Sequence, residues 1–281
     1  MNASRLELAA RNNAIWCDSV CRAHGVPGEF LPALWLNRNT PPPYHPNLVV
    51  ISASADRRQI LASIRELIDL PLAGRWSVKD SFSDLELGPL GFDVLFAASW
   101  IWRDPAPLGP GRTSSGIRWR RIVSPEELAR WESAWAGDPQ NLDASGKPAQ
   151  FPAALLEDRQ IVFFAGALGR EIIAGGIANR TGAVVGLSNI FVNAGDITAA
   201  WSGLINCVQE AFPALPIVGY TDSQRPARFI NCQPNARVQI PVICPDAKIG
   251  FRSPVQQFAV AHSGTLLAGP VWLRSRRQPF C

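Results

Sequence analysis

The sequence predicts an α/β protein, a mixed sheet flanked by helices, and three observations carry that expectation. Residues 184–220 read in turn as strand, turn, helix and strand. The apolar runs 161–165, 171–179 and 184–192 are separated by Gly-containing turns and read as an antiparallel meander. Asp104–Gly116 (DPAPLGPGRTSSG) is mostly Pro, Gly and Ser, so it reads as a linker between units 1–103 and 117–281.

Taken in order, residues 4–24 read as a helix with Leu6, Ala10, Asn13, Cys17, Val20 and His24 along one face, ended by Gly25 and Pro27. Leu31–Leu36 is a short apolar stretch. Asn37–Asn47 (NRNTPPPYHPN) carries too many prolines to be helical and is expected to be an extended loop. Leu48–Ser52 reads as a strand and Asp56–Ile68 as a helix with Ile60, Ile64 and Leu67 facing inward. Trp76–Phe82 and Phe92–Trp102 read as strands on either side of a turn-rich piece that ends at Gly91. Beyond the linker, Ile117–Ile122 reads as a strand. Ser124-Pro125-Glu126-Glu127 then supplies a cap, a first-turn proline and first-turn acids for a helix running to Trp135.

Residues 184–214 are the stretch around which the rest is organised. Val184–Val192 is apolar and β-branched with no charge, as a buried strand requires. Asn193-Ala194-Gly195-Asp196 is a turn cluster, and Asp196 or Thr198 can cap a helix that starts there. Ala200, Leu204, Cys207, Val208 and Phe212 recur at helical spacing, and Pro213 and Pro216 end the helix before a strand at Ile217–Tyr220. In such a unit the helix N-terminus aims backbone N–H groups beyond the strand, a natural place for an anion. Ordinary α/β core is the competing reading of the same spacing. Further on, Arg237–Ile243 reads as a strand, Pro254–His262 as a short helix and Thr265–Leu273 as a closing strand. The segments from Gly91 to Arg103 and from Gly264 to Arg274 echo each other, each with a Gly, an apolar run and a Trp shortly before an Arg.

Composition narrows the function classes. With 47% hydrophobic and 18% charged residues, the chain is an ordinary globular protein. The net charge is only +4, and the positive residues are almost all Arg, with lysines at 79, 147 and 248 alone. Arg118–Arg121 and Arg274–Arg277 are short clusters rather than the continuous basic stripe of a nucleic-acid protein, so no nucleic-acid partner is expected. Residues 2–11 are polar where a leader would be apolar, and Ile161–Leu168 is too short to span a bilayer. The expectation is a cytoplasmic protein with no membrane partner, its six cysteines reduced and buried.

Several constellations compete for chemistry. Cys17, Cys21 and His24 share a helix face, and His45 is the obvious fourth ligand for a zinc ion. Buried small thiols explain the same spacing more simply, so no metal is expected. Gly186-Leu187-Ser188-Asn189-Ile190 is one glycine short of a nucleophile elbow and lies inside a strand, which argues against hydrolase chemistry. Tyr220, one of two tyrosines, stands at the end of a strand beside the anion site and is the candidate proton donor. Asp196, Asp222 and Glu171 are the nearest carboxylates and read as caps or turn residues.

The order of elements, with Leu187-Ser188-Asn189-Ile190-Phe191-Val192 as central strand, resembles the acyl-CoA-dependent N-acetyltransferase (GNAT) superfamily over residues 117–274. Residues 1–103 look like a second, degenerate copy. The resemblance implies a GNAT-like mixed sheet and acyl transfer from acetyl-CoA, or another acyl-CoA, to a small-molecule amine. It implies that the central strand splays from its neighbour, so that Ile190, Phe191 and Val192 meet the pantetheine arm. It places the pyrophosphate loop on Ile197, Thr198, Ala199, Ala200, Trp201 and Ser202. There the family's Arg position falls on Ile197 and its two Gly positions on Ala200 and Ser202. The family's general-acid Tyr position falls on Val260, or on Ile230 in a second register, and neither is an acid. A fold that has kept its shape as a silent binding or interaction module is therefore the rival expectation to an enzyme.

Overall fold

Helix α1, Ala3–Ala23, is the element against which the sheet is assembled. Ala9, Ala10, Ala14, Trp16, Cys17, Val20 and Cys21 are all buried, a wider apolar face than one stripe would supply. The computed structural model describes residues 3–72, 76–106, 116–137, 149–221 and 237–243. The expected 254–262 helix, the 265–273 strand, Gly264, Val260, Ile230 and Asp222 lie outside them.

In chain order the strands are β1 (Glu29–Phe30), β2 (Leu34–Leu36), β3 (Leu48–Val50), β4 (Trp76–Lys79), β5 (Asp93–Arg103) and β6 (Arg118–Arg121). They continue with β7 (Ile161–Leu168), β8 (Glu171–Thr181), β9 (Val184–Val192), β10 (Ile217–Thr221) and β11 (Arg237–Ile243). The remaining helices are α2 (Arg57–Ile68), α3 (Pro125–Ala136) and α4 (Ile197–Ala211). The described strands form one sheet, in the order β1-β2-β3-β4-β11-β5-β10-β9-β8-β7-β6. This is the α/β mixed sheet expected, and β7, β8 and β9 are the antiparallel meander. β4 stops three residues earlier than its apolar pattern suggests. There the Asp80 carboxylate accepts from the backbone N–H groups of Phe82, Asp84 and Leu85 and folds the chain into a turn.

Two caps behave as their residues predict. Ser124 caps α3 by accepting from the Glu127 N–H, with Pro125 in the first turn and Gly137 in the left-handed conformation at the other end. Asp196, rather than Thr198, caps α4, so that helix begins at Ile197, three residues before Ala200, the first of its apolar series.

The sheet is shared along the chain. β5 lies before the 104–116 stretch, yet both its neighbours, β10 and β11, come from after it. α1 likewise docks on the later strands. Asn12 Nδ2 donates to the Asn179 carbonyl at 2.9 Å and to Thr181 Oγ1 at 2.8 Å, while Asn179 Nδ2 donates back to the Asn12 carbonyl at 3.3 Å. Gly186 permits this approach, because a Cβ there would stand 1.9 Å from Asn12 Oδ1. On one side of the meander, α4 contributes Trp201, Leu204, Ile205 and Val208 to a core with Phe164, Val185 and Ile190. In a second core, α3 sets Trp131 among Phe151, Phe163 and Phe191.

Candidate functional site

The sheet opens where β9 and β10 part. They are parallel neighbours, paired only at Ile217 with Val185 and Val218 with Gly186. At the next step they are still close, since a Cβ on Gly219 would lie 2.9 Å from the Leu187 carbonyl oxygen. Beyond it β10 is paired only with β5, and β9 only with β8. A bulge accompanies the parting. Asn189 takes φ +50°, and the β8–β9 register shifts between Gly175 and Ile177. A bulge bends its strand and increases its twist, which carries the end of β9 away from β10. The splay implied by the resemblance therefore has a local cause in this chain.

A cavity of about 490 Å³ adjoins the opening. Its boundaries come from α1, from the Pro41–Pro46 loop, from β4 and β5, and from Gly186–Ile190 and Val218–Tyr220. The loop is held by asparagines. Asn47 Nδ2 donates to the carbonyls of Asn37 and Asn39, and Asn37 Nδ2 donates to that of Val26. Trp16, Trp76, Trp100 and Trp135 supply much of the apolar lining.

Polar groups are few and specific. His45 lies at 9% exposure, and its Nδ1 is 3.0 Å from the Pro43 carbonyl oxygen. A carbonyl can only accept, so Nδ1 carries the hydrogen and Nε2 is left as the lone-pair nitrogen. Gln150 Nε2 also donates to Pro43, at 2.9 Å, and its 3.4 Å approach to Nδ1 is then a contact between two donors. Burial, chiefly, pushes the His45 pKa down from 6.5 to about 4; the bond to Pro43 opposes this, and the charges of Lys79 and His24 add to it. At neutral pH His45 is an uncharged base.

Across the cavity, Lys79 is 3% exposed. Its Nζ donates to Asn13 Oδ1 at 2.7 Å and to Tyr220 Oη at 3.2 Å, and lies 4.4 Å from the Tyr220 ring centroid. Tyr220 therefore has its oxygen engaged as an acceptor and its hydroxyl hydrogen left to donate. Its ring packs edge-to-face on Trp100 at 5.7 Å. Ser188 Oγ on β9 is buried with no hydrogen-bond partner among the described residues.

Of the residues assigned from sequence, the fold brings Tyr220 and Ile190 to this one cavity. Phe191 points to the α3 core instead, and Val192 packs against the α4 core. Ile197 is half-buried against the α4 core, and Ala200 and Trp201 are buried beneath α4 at 1% and 4% exposure. Ser202 is half-buried. The Thr198 and Ala199 N–H groups both donate to Asp196 Oδ1, at 2.8 and 3.3 Å, and the Ala200 N–H donates to the Asp196 carbonyl. The end of α4 at which the sequence predicts an anion is thus capped by the protein's own carboxylate. Cys17 and Cys21 sit in a core cluster with Trp35, and burial raises both thiol pKa values, that of Cys21 to about 12. These are packed thiols rather than poised ligands.

Sequence reasoning weighs His45 only as a metal ligand and passes over Lys79 and Asn13 as site residues. The signal for Lys79 is weak: it is one of three lysines in an Arg-rich chain.

No family model matches the chain, and no curated protein does. Among solved structures it is similar to a GCN5-related N-acetyltransferase from Kribbella flavida, with TM-score 0.56 and 16% identity over 85% of this chain and 96% of that one. A putative GNAT-family acetyltransferase from Novosphingobium aromaticivorans gives TM-score 0.45 and 10% identity, over 82% of this chain and 95% of that one. The C-terminal domain of a putative lysylphosphatidylglycerol synthetase from Agrobacterium fabrum gives 0.47 and 10%, over 86% and 92%. The Kribbella match alone of these three carries the argument for the fold.

Proposed function

We propose that this chain, which has the fold of the GCN5-related N-acetyltransferases, is an N-acyltransferase that moves an acyl group from an acyl-CoA, acetyl-CoA first among them, to a small amine. The observation that carries the reading is the splayed β9 edge opening on a cavity that holds a neutral histidine and a hydrogen-donating tyrosine.

The chain fits the donor unevenly. The backbone of Ser188–Val192 on the splayed side is without a strand partner among the described residues, as a pantetheine arm requires. The α4 N-terminus fits less well, since a pyrophosphate there has to displace Asp196 from the Thr198 and Ala199 N–H groups. When bound, acyl-CoA supplies a thioester carbon that exchanges its C–S bond for a C–N bond to the amine, with CoA leaving as the thiolate. The cavity's part is to hold the amine beside the β9 edge and exclude water. Its apolar walls and the Lys79 charge both favour the neutral, nucleophilic form of an amine. His45 Nε2 accepts the proton that the amine nitrogen sheds, and Tyr220 Oη donates one toward the sulfur. Asp196 is also the observation that favours the second reading, a module that retains the fold without the chemistry.

Thermal unfolding with acetyl-CoA, CoA and ATP separates the two. Saturating acetyl-CoA at about 100 times its Kd should stabilise the fold by about 2.7 kcal/mol, a rise of several degrees in Tm, with ATP giving less. No shift at millimolar acetyl-CoA rejects the transferase reading. Asp196→Asn keeps a capping oxygen and removes the charge. It should tighten CoA binding by up to about thirtyfold, because a charge at a helix end is worth about 0.3–2 kcal/mol. Unchanged affinity in calorimetry would mean that the pyrophosphate does not lie at α4.

A further inference from the structure

The proposed transferase leaves one buried charge unexplained. Lys79 sits at the base of the cavity at 3% exposure, and both partners of its ammonium, Asn13 Oδ1 and Tyr220 Oη, are neutral. Burying an ammonium without a counter-ion is costly enough that interiors pair such charges almost without exception. Among the described residues, no carboxylate lies within ion-pair distance of Lys79. Two described carboxylates of the neighbouring segments are committed elsewhere. Asp80 is turned into its own loop, where it accepts from three backbone N–H groups. Asp18 pairs with Arg22 and accepts from the Gly28 N–H and the Trp35 indole.

The surroundings of the ammonium are built to donate. With Asn13 Oδ1 taken by Lys79, the Asn13 amide nitrogen is its remaining polar atom, and it is a donor only. The ammonium has three protons, and its two neutral acceptors account for two. Tyr220 from the sheet and Asn13 from α1 thus hold the charge in place and leave its third proton available. Away from this corner the lining is aromatic, from Trp16, Trp76, Trp100 and Trp135. A ligand that matches both regions is an anion with a large apolar body. A simple alkylamine matches neither the charge nor the donors.

We propose that the cavity binds a carboxylate, and that the acceptor is an amino acid or similar amine bearing a carboxylate and an apolar side chain. Its carboxylate pairs with Lys79 Nζ and Asn13 Nδ2. This rests on the transferase reading for the amine and on the cavity alone for the carboxylate. Lys79 is then the specificity-determining residue, and the counter-ion that no described residue supplies arrives with the substrate.

The test is calorimetry on the full chain, without CoA, using hydrocinnamate, its neutral isostere hydrocinnamamide, L-phenylalanine and phenethylamine. Hydrocinnamate and L-phenylalanine should bind at least about tenfold tighter than hydrocinnamamide and phenethylamine, as a charge-assisted bond in a dry site predicts. Lys79→Met, matched in length and checked for folding by circular dichroism, should abolish that difference. Equal binding of acid and amide by the native protein overturns the proposal and needs no variant. No carboxylate binding at millimolar concentration, or an undiminished preference in folded Lys79→Met, overturns it too. Carboxylate binding that persists without any acetyl-CoA response rejects the transferase reading and leaves this site standing. The converse result removes this site and leaves the transferase.

Discussion

Replacing His45 with alanine should lower kcat/KM for acyl transfer by about 10²- to 10⁴-fold, the usual contribution of a positioned base. Acetyl-CoA should stabilise the variant as it does the native protein, because His45 belongs to the cavity and not to the β9 edge. The acid limb of the native kcat/KM profile should fall near pH 4, where His45 gains its proton, rather than at 6.5. Stability should follow the same group. Its folded pKa lies below its unfolded value, so the unfolded chain takes up the proton first as pH drops. The contribution is complete above about 6.5 and is lost progressively down to about 4. At about 1.4 kcal/mol per unit, the whole loss is on the order of 3 kcal/mol. Full turnover by a folded His45→Ala protein would end the assignment of His45 as base.

Trp131→Ala should cost about 3–5 kcal/mol of folding free energy, the range for removing a large aromatic from a packed core. Trp131 is 0% exposed, and its indole N–H donates to the Phe164 carbonyl at 2.8 Å. Its ring meets Phe151, Phe163 and Phe191 edge-on at 5.7, 5.3 and 5.3 Å. Deleting it opens a cavity and also removes that hydrogen bond. The loss is a large share of the roughly 5–15 kcal/mol that holds a typical domain together. Trp131→Phe keeps most of the packing and should cost less, about 0.5–1.5 kcal/mol for the lost hydrogen bond. Phe191 stands on β9, so the same substitution should loosen the splayed strand and weaken any ligand held along it. A urea midpoint for Trp131→Ala close to the native value would show that α3 does not anchor the meander.

Local structure is legible because its causes are local. The apolar spacing of α1 and α4, the Ser124 and Asp196 caps and the Gly-containing turns of the meander each act over a few residues. Those elements lie where the sequence places them, to within a residue or two at most ends. The apolar pattern carries β4 too far because Phe82 continues it. Only the three backbone bonds to Asp80 show that the chain has already turned.

Residues 184–220, read by themselves, determined the strand–helix–strand unit at the centre of the fold, and the order of elements from 117 onward carried the resemblance to a family. Tertiary structure alone decided what that unit faces. The composition of the 104–116 segment contains nothing about β10 and β11 becoming the neighbours of β5, because strand order depends on which faces bury best against each other and not on sequence proximity. Lys79 and Tyr220 are separated by 141 positions, and Asn12 and Asn179 by 167. No short window of sequence contains both members of either pair. Asp196 makes the same point in reverse: its place as a cap is local and legible, but that it holds both the Thr198 and Ala199 N–H groups becomes visible only with the hydrogen bonds. Caps and periods are set by neighbours a few residues apart, whereas an uncompensated charge exists only once the fold has removed it from water.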